Sequence, residues 1–76
     1  MVNVNKLKGK MVENGMNVAE LSKKIGEDKA TVYRKLSGNG DNFSIKEADL
    51  ISKELKLTYE EVNAIFFSQY VAYNAN

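Results

Sequence analysis

The 76-residue chain contains no cysteine and no histidine. Without cysteine it forms neither disulfide bonds nor thiolate metal sites. It also has no glycine-rich phosphate loop, and its carboxylates fall at predicted helix caps or on polar faces, so the usual parts of a catalytic site are missing. The sequence therefore predicts a protein that is not an enzyme, with no catalytic residue, no metal site, no cofactor and no small-molecule substrate.

Long hydrophobic runs are absent as well. Hydrophobic residues make up 43% and charged residues 28% of the chain, which is typical of a globular domain, and no apolar run approaches the roughly 18 residues of a membrane span. The first residues lack the basic-then-apolar order of a secretory signal. We expect a cytoplasmic protein with no membrane partner, folded as a single domain over residues 1–76.

Proline is also absent, and there is no strand-like alternation and no internal repeat. These features favour an all-α fold. Residues 17–38, NVAELSKKIGEDKATVYRKLSG, read as two helices of about 8 or 9 residues joined by a Gly-Glu-Asp turn, each too short to persist alone. Asn17 with Glu20 forms a capping box and Asp28 caps the second helix, while Gly26 and Gly38 close the two helices.

The apolar residues of this segment face inward and leave a polar outer face. Two apolar faces follow helical spacing; they consist of Val18, Leu21 and Ile25 in the first helix and Val32 and Leu36 in the second. The outward face of the second helix carries Lys29, Ala30, Thr31, Arg34 and Ser37. Two short helices that meet this tightly suggest a helix-turn-helix that binds DNA.

Three further helices complete the predicted fold. Helix 1 runs from about Asn5 to Asn14, with Val4, Leu7 and Met11 on one side and Gly15 as its stop. Helix 4 runs from Ile45 to about Leu55 behind a Ser44–Glu47 capping box, with Phe43 stapled onto its first turn and with Ile45, Leu50 and Ile51 facing inward. Helix 5, about residues 59–73, follows a Thr58–Glu61 capping box.

Helix 5 is more apolar than a surface helix needs to be. Its apolar side chains cover an arc of about 240°, where packing on a small core requires little more than 100°. Either the core encloses this last helix deeply, or a second apolar face, with Phe67, Tyr70 and Val71, forms a homodimer interface.

Charge is distributed unevenly along the chain. Residues 1–40 carry eight Lys and Arg against four Asp and Glu, a net charge of +4, and residues 41–76 carry three against six, a net charge of −3. The positive half contains the predicted helix-turn-helix, as binding to a polyanion would require.

The segment up to residue 38 resembles the lambda-repressor-like helix-turn-helix family, the XRE group of phage Cro-like regulators. The resemblance rests on Leu21, Ile25, Gly26, Thr31, Val32, Leu36, Ser37 and Gly38. The later segment FSIKEADLISKELKLTYEEVNAIFF is similar to the fourth and fifth helices of small Cro-like proteins. The resemblance implies a five-helix DNA-binding domain in which helices 2 and 3 form the helix-turn-helix.

The resemblance also implies which residues contact DNA. Base edges in the major groove would be read by Lys29, Ala30 and Arg34, flanked by Thr31 and Tyr33. Arg34 is the best single candidate, because a guanidinium can donate two parallel hydrogen bonds to guanine. Phosphate contacts would come from Asn17, Val18, Ser37 and Asn39, with Lys10 and Lys23 as nearby cations.

Three residues depart from the family pattern. Val18 stands where relatives commonly carry a glutamine that contacts phosphate and braces a base-reading side chain. Ser22 replaces a small alanine between helices 2 and 3. Glu27 replaces an apolar turn residue, and together with Asp28 it places two carboxylates near the start of helix 3, which favours the helix but repels phosphate.

The function predicted from these features is a sequence-specific double-stranded DNA-binding transcriptional regulator of Cro or short-repressor type, from a phage or prophage. It would bind an operator as a homodimer, associated with the nucleoid of the bacterial host cell. The alternative is an antirepressor-type interaction module that captures another protein with helix 5 and whose DNA binding is weak or vestigial.

Overall fold

The computed structural model describes residues 2–37 and 43–67, and these form five α-helices with no strand among them. In chain order the helices are α1 (Val4–Glu13), α2 (Val18–Ile25), α3 (Lys29–Leu36), α4 (Ile45–Glu54) and α5 (Tyr59–Phe66). The predicted all-α, five-helix fold is confirmed. The predicted stop at Gly38 and the predicted course of helix 5 beyond Phe67 lie outside the described residues. None of the described helices is long and apolar enough to cross a membrane.

The helix starts follow the capping residues read from the sequence. All three predicted capping boxes are present, with both of their hydrogen bonds; they pair Asn17 with Glu20, Ser44 with Glu47 and Thr58 with Glu61. α1 starts one residue earlier than predicted, because the Asn3 side chain accepts a hydrogen bond from the Lys6 N–H at 3.1 Å. Asp28 occupies the N-cap position of α3, as predicted, and its side chain makes no cap hydrogen bond.

Three helices end in the same left-handed turn. After α1, α2 and α4 a residue with positive φ is followed by an N–H that donates to the carbonyl five residues back, as in a Schellman ending. These three hydrogen bonds, each 2.9 Å long, run from Met16 to Met11, from Glu27 to Ser22 and from Leu57 to Ser52. The left-handed residue is glycine in the first two turns, Gly15 at φ 62° and Gly26 at φ 70°, but in the third turn it is Lys56 at φ 53°.

The core lies where α2 packs against both α3 and α4, and it continues to where α1 packs on α5. The largest fully buried side chains come from all five helices and from the residue that follows α4; they are Leu7, Leu21, Val32, Ile51, Leu55 and Ile65. The N-terminal segment is joined to α5 by a 2.7 Å hydrogen bond from the Asn3 N–H to the Ile65 carbonyl. No helix is therefore supported by its own turns alone.

Helix α4 corrects one sequence prediction. Ile51 is completely buried and Leu50 is partly buried, as predicted, but Ile45 is 82% exposed. The buried stripe follows Ala48, Ile51 and Leu55, and at about 100° per residue Ile45 lies roughly 100° from the centre of that stripe. The prediction that Ile45 faces inward was wrong. It assumed that every apolar residue of the helix is buried, whereas the packing of α4 on α2 decides which side of the helix faces the core.

The two isoleucines of α4 provide a matched test of this packing. Ile51→Ala should lower the free energy of unfolding by about 2–4 kcal/mol, because it leaves a cavity in the core. Ile45→Ala should change it by less than about 0.5 kcal/mol, as is usual for exposed positions. Urea unfolding followed by circular dichroism measures both values, and similar losses in the two variants would contradict the burial described here.

Candidate nucleic-acid interface

The turn between α2 and α3 fixes how the second helix meets the first. α2 ends at Ile25, the left-handed backbone of the following Gly26 reverses the chain, and only three residues separate α2 from α3. Val32 and Leu36 are buried in the shared core. Their burial on one side of α3 turns the opposite side of this helix to the surface.

Ser22, one of the three departures from the family pattern, is accommodated inside this joint. The residue is almost completely buried, and its hydroxyl donates a 2.7 Å hydrogen bond to the Val18 carbonyl within α2. A buried hydroxyl with such a partner avoids the cost of an unsatisfied polar group. The serine therefore leaves the packing of α2 on α3 intact.

The exposed side of α3 brings together most of the residues that were predicted to read bases. One wide, open depression of about 680 Å³ is bordered by four of the predicted readers, Lys29, Ala30, Tyr33 and Arg34. Asp28 and Ser37 complete its border. Tyr33 is among the exposed large hydrophobic side chains. Thr31 is partly buried and does not border the depression.

A second, apolar groove adjoins this face. It has a volume of about 440 Å³ and lies between the end of α1, the start of α2 and the end of α3. Val12, Met16 and Val18 line it, and Tyr33 borders both this groove and the open face of α3. Val18 thus supplies an apolar wall at the position where the family resemblance implies a polar brace.

The start of α2 is held by its own capping box. The Asn17 Oδ1 atom accepts a 2.8 Å hydrogen bond from the Glu20 N–H, and the Asn17 N–H donates to the Glu20 carboxylate at 3.1 Å. At the other end of the face, the Ser37 hydroxyl donates to the Arg34 carbonyl at 2.6 Å. Asn39, also predicted to contact phosphate, lies outside the described residues.

The two lysines that were predicted to contact phosphate have different surroundings. Lys23 is exposed on α2. The Lys10 side chain is only 17% exposed, and its Nζ atom lies 2.6 Å from a Glu61 oxygen and 3.0 Å from a Glu13 oxygen. These hydrogen bonds raise the pKa of Lys10, and the one to Glu61 has the larger effect. The phosphate contact of Lys10 stays a prediction, and it would compete with this ion pair between α1 and α5.

Lys35, a third cation near this face, makes contacts that were not predicted from the sequence. Its Nζ atom contacts both oxygens of Glu47, at 2.8 and 2.9 Å, and lies 5.6 Å from the centre of the Phe43 ring. The Lys35 side chain is 16% exposed and the Glu47 side chain 11% exposed. Lys35 therefore joins the end of α3 to the start of α4 and is turned away from the open face of α3.

Glu47 is the centre of this cluster. One of its oxygens accepts a 2.6 Å hydrogen bond from the Ser44 N–H, and Glu47 borders one cavity with Glu27 of the α2–α3 turn. Burial raises the pKa of Glu47, but the hydrogen bonds from Glu27, Lys35 and Ser44 outweigh it and lower the pKa to about 2. The capping box was visible in the sequence, whereas the contacts with residues 12 and 20 positions earlier depend on how the helices pack.

Of the three residues predicted for a dimer interface, Phe67 lies within the described residues, and it has an exposed apolar neighbour in Ile45. Phe67 is 42% exposed. It borders a small cavity of about 80 Å³ together with Ile45, Phe43 and Phe66, and the Phe43 and Phe66 rings meet edge to face with their centres 6.2 Å apart. Ile45 was not predicted at this surface, because its helical spacing had assigned it to the core. Tyr70 and Val71 lie outside the described residues.

Comparison with known families supports a helix-turn-helix fold. Residues 6–67 match the model of a family described as the Cro/C1-type HTH DNA-binding domain. Searches of curated proteins and of solved structures gave no match for this chain.

The low pKa of Glu47 predicts how acid affects stability. Because the folded-state pKa lies below the ordinary value of about 4.3, the stabilising contribution is complete above that value and is lost as the pH falls towards 2. Glu47→Gln should lower stability at neutral pH and make its decrease between about pH 4.5 and pH 2 shallower. Urea unfolding at a series of pH values measures this.

Asp49→Asn is the matched control, because Asp49 is an exposed acid of the same helix, paired with Lys53 at 3.0 Å. We expect this variant to keep the wild-type profile of stability against pH. An unchanged acid profile in Glu47→Gln would contradict the assigned role of Glu47.

Proposed function

Because the chain belongs to the Cro/C1-type helix-turn-helix DNA-binding domain family, we propose that this DNA-binding regulator recognises a specific operator by inserting α3 into the major groove. One observation carries the proposal. Lys29, Ala30, Tyr33 and Arg34 border a single open face of α3, on the side opposite the buried Val32. A helix presented in this way can reach base edges.

Each side chain of this face offers a different contact. Arg34 can donate two parallel hydrogen bonds to guanine O6 and N7, and Lys29 can donate to guanine as a point charge. Ala30 can contact a thymine methyl group. Tyr33 and Thr31 flank these readers, and Tyr33 also borders the neighbouring apolar groove.

Phosphate contacts on either side would fix the orientation of the helix on DNA. The start of α2 offers the backbone N–H of Val18 to a phosphate, whatever the side chain is, and Asn17 beside it would contact phosphate through its side-chain amide. Lys23 is an exposed cation on the same helix, Ser37 lies at the other end of the face, and Asn39 follows it in the chain. Such contacts position the protein but carry no sequence information.

We also propose that the protein binds as a homodimer of Cro or short-repressor type, of phage or prophage origin. Phe67 and Ile45 are exposed apolar side chains that border one cavity between the start of α4 and the end of α5. A second copy covering this surface would remove both from water. Two-fold symmetry would then present two α3 helices to half-sites about 34 Å apart, and occupancy of the operator would block transcription.

Base reading by α3 is tested with Arg34. A preferred duplex is first selected from a randomised pool with the wild-type protein. Arg34→Ala should weaken binding to this duplex by about 1–3 kcal/mol and leave binding to unrelated DNA nearly unchanged, because a lost bidentate contact removes discrimination. Fluorescence anisotropy with both duplexes measures the two affinities.

Lys23→Ala is the control for charge alone. It should weaken both duplexes by similar factors and reduce the slope of log affinity against log salt by about one, as expected for a lost phosphate contact. Equal losses on both duplexes in the Arg34 variant would show that Arg34 contributes only charge.

The dimer surface is tested by placing a charge within it. Phe67→Asp and Ile45→Asp should each shift the protein towards monomer and weaken operator binding at least about tenfold, because an unpaired buried carboxylate opposes association. Sedimentation velocity reports the oligomeric state. Val12→Asp is the control, since Val12 is exposed and apolar but borders the groove beside α3 instead.

The same experiments separate this function from the alternative one. An antirepressor that captures another protein would lose its capture in Phe67→Asp, while its weak DNA binding would be insensitive to Arg34→Ala. A wild-type protein that stays monomeric and selects no duplex from the pool would favour that alternative.

A further inference from the structure

The apolar groove beside α3 is continuous with the proposed DNA face of that helix. Tyr33 borders both surfaces and is 65% exposed. Val18 lines the groove from the first residue of α2, where it is partly buried and packs against the core. The groove therefore has one apolar side that the core holds in place and another that α3 carries towards DNA.

Polar side chains border the same groove. Lys8 is an exposed cation on α1, Asn17 caps the start of α2, and Ser37 follows the end of α3. Ammonium, amide and hydroxyl groups are the usual donors to DNA phosphates. The groove thus combines an apolar interior with a border that is complementary in charge to a DNA backbone.

One group of the major groove suits such an interior. The base edges there carry hydrogen-bond donors and acceptors, and the apolar exception is the C5 methyl group of thymine. This methyl group projects near the backbone of its own strand, so it lies between the base edges that α3 can reach and the phosphates beside them. A phosphate placed against Val18 and Tyr33 would instead lose water without gaining a charged partner.

We propose that Val18 and Tyr33 hold the C5 methyl group of a thymine, so that the chain selects thymine at an operator position other than the one contacted by Ala30. The inference deepens the proposed function and rests on it, because it assumes that α3 enters the major groove. Val18 would then contact a base directly at the position where the family resemblance implies a polar brace.

The experiment removes single methyl groups from the DNA. Each thymine of the duplex selected with the wild-type protein is replaced in turn by deoxyuridine, which keeps the base pair and lacks only the C5 methyl group. At the position held by Val18 and Tyr33, the replacement should weaken wild-type binding about threefold to fivefold, the factor that corresponds to burial of one methyl group. Fluorescence anisotropy at constant ionic strength measures the affinities.

Variants of the groove identify which thymine it holds. Val18→Ala and Tyr33→Ala should both reduce the preference for thymine over deoxyuridine at the same position to less than about twofold, because the methyl group loses its apolar contacts. Tyr33→Phe is the matched control, since it keeps the ring and removes only the hydroxyl group, and it should retain the full preference. Ala30→Ser should alter the response of a different thymine. Urea unfolding verifies that each variant is folded.

Two results would overturn this inference. In the first, Val18→Ala weakens binding to the thymine and deoxyuridine duplexes by the same factor at every position, which would assign the groove to backbone sugars. In the second, no thymine of the selected duplex responds to deoxyuridine in a way that depends on Val18 and Tyr33. If Arg34→Ala still loses discrimination, the proposed function stands and this inference alone fails. If the wild-type protein selects no duplex, both fail.

Discussion

Burial of α2 between α3 and α4 is the packing interaction on which the rest of the structure depends. A helix of eight residues does not persist alone in water. Leu21 and Ile25 stabilise α2 by entering the common core, and the same contacts determine where α3 lies. The candidate DNA face is therefore not a separable motif. A change in α4, such as loss of Ile51, would disturb the position of α3 although no residue of α4 lies on that face.

The sequence was sufficient for features determined locally. Capping boxes, the glycine in the α2–α3 turn and the apolar stripe of α2 depend on residues three to seven positions apart, and the structure contains all of them. The outward face of α3 could also be predicted, because burial of Val32 and Leu36 defines its opposite side. Long-range contacts could not be predicted. The direction of α4, which exposes Ile45, and the pairing of Lys35 with Glu47 depend on which helices meet.

The two halves of the chain, basic and acidic, also bind each other. Lys10 of the basic half pairs with Glu61, and Lys35 pairs with Glu47, and both acids belong to the acidic half. A positive charge counted along the sequence is therefore not a positive charge available to DNA. These two ion pairs join α1 to α5 and α3 to α4. The cations that remain exposed include Lys23 and Lys29, on the two helices of the helix-turn-helix.

Lys56 shows that packing can override local preference at the junction of α4 and α5. Its left-handed backbone is the one that glycine provides after α1 and α2, and a side chain there carries a conformational cost of about 1 kcal/mol. The buried Leu55 and partly buried Leu57 on either side hold the chain in this conformation between the two helices. The junction thus holds a small amount of strain, which the packing of these two leucines offsets. The angle between α4 and α5 is therefore set by burial in the core and not by the local preference of the turn.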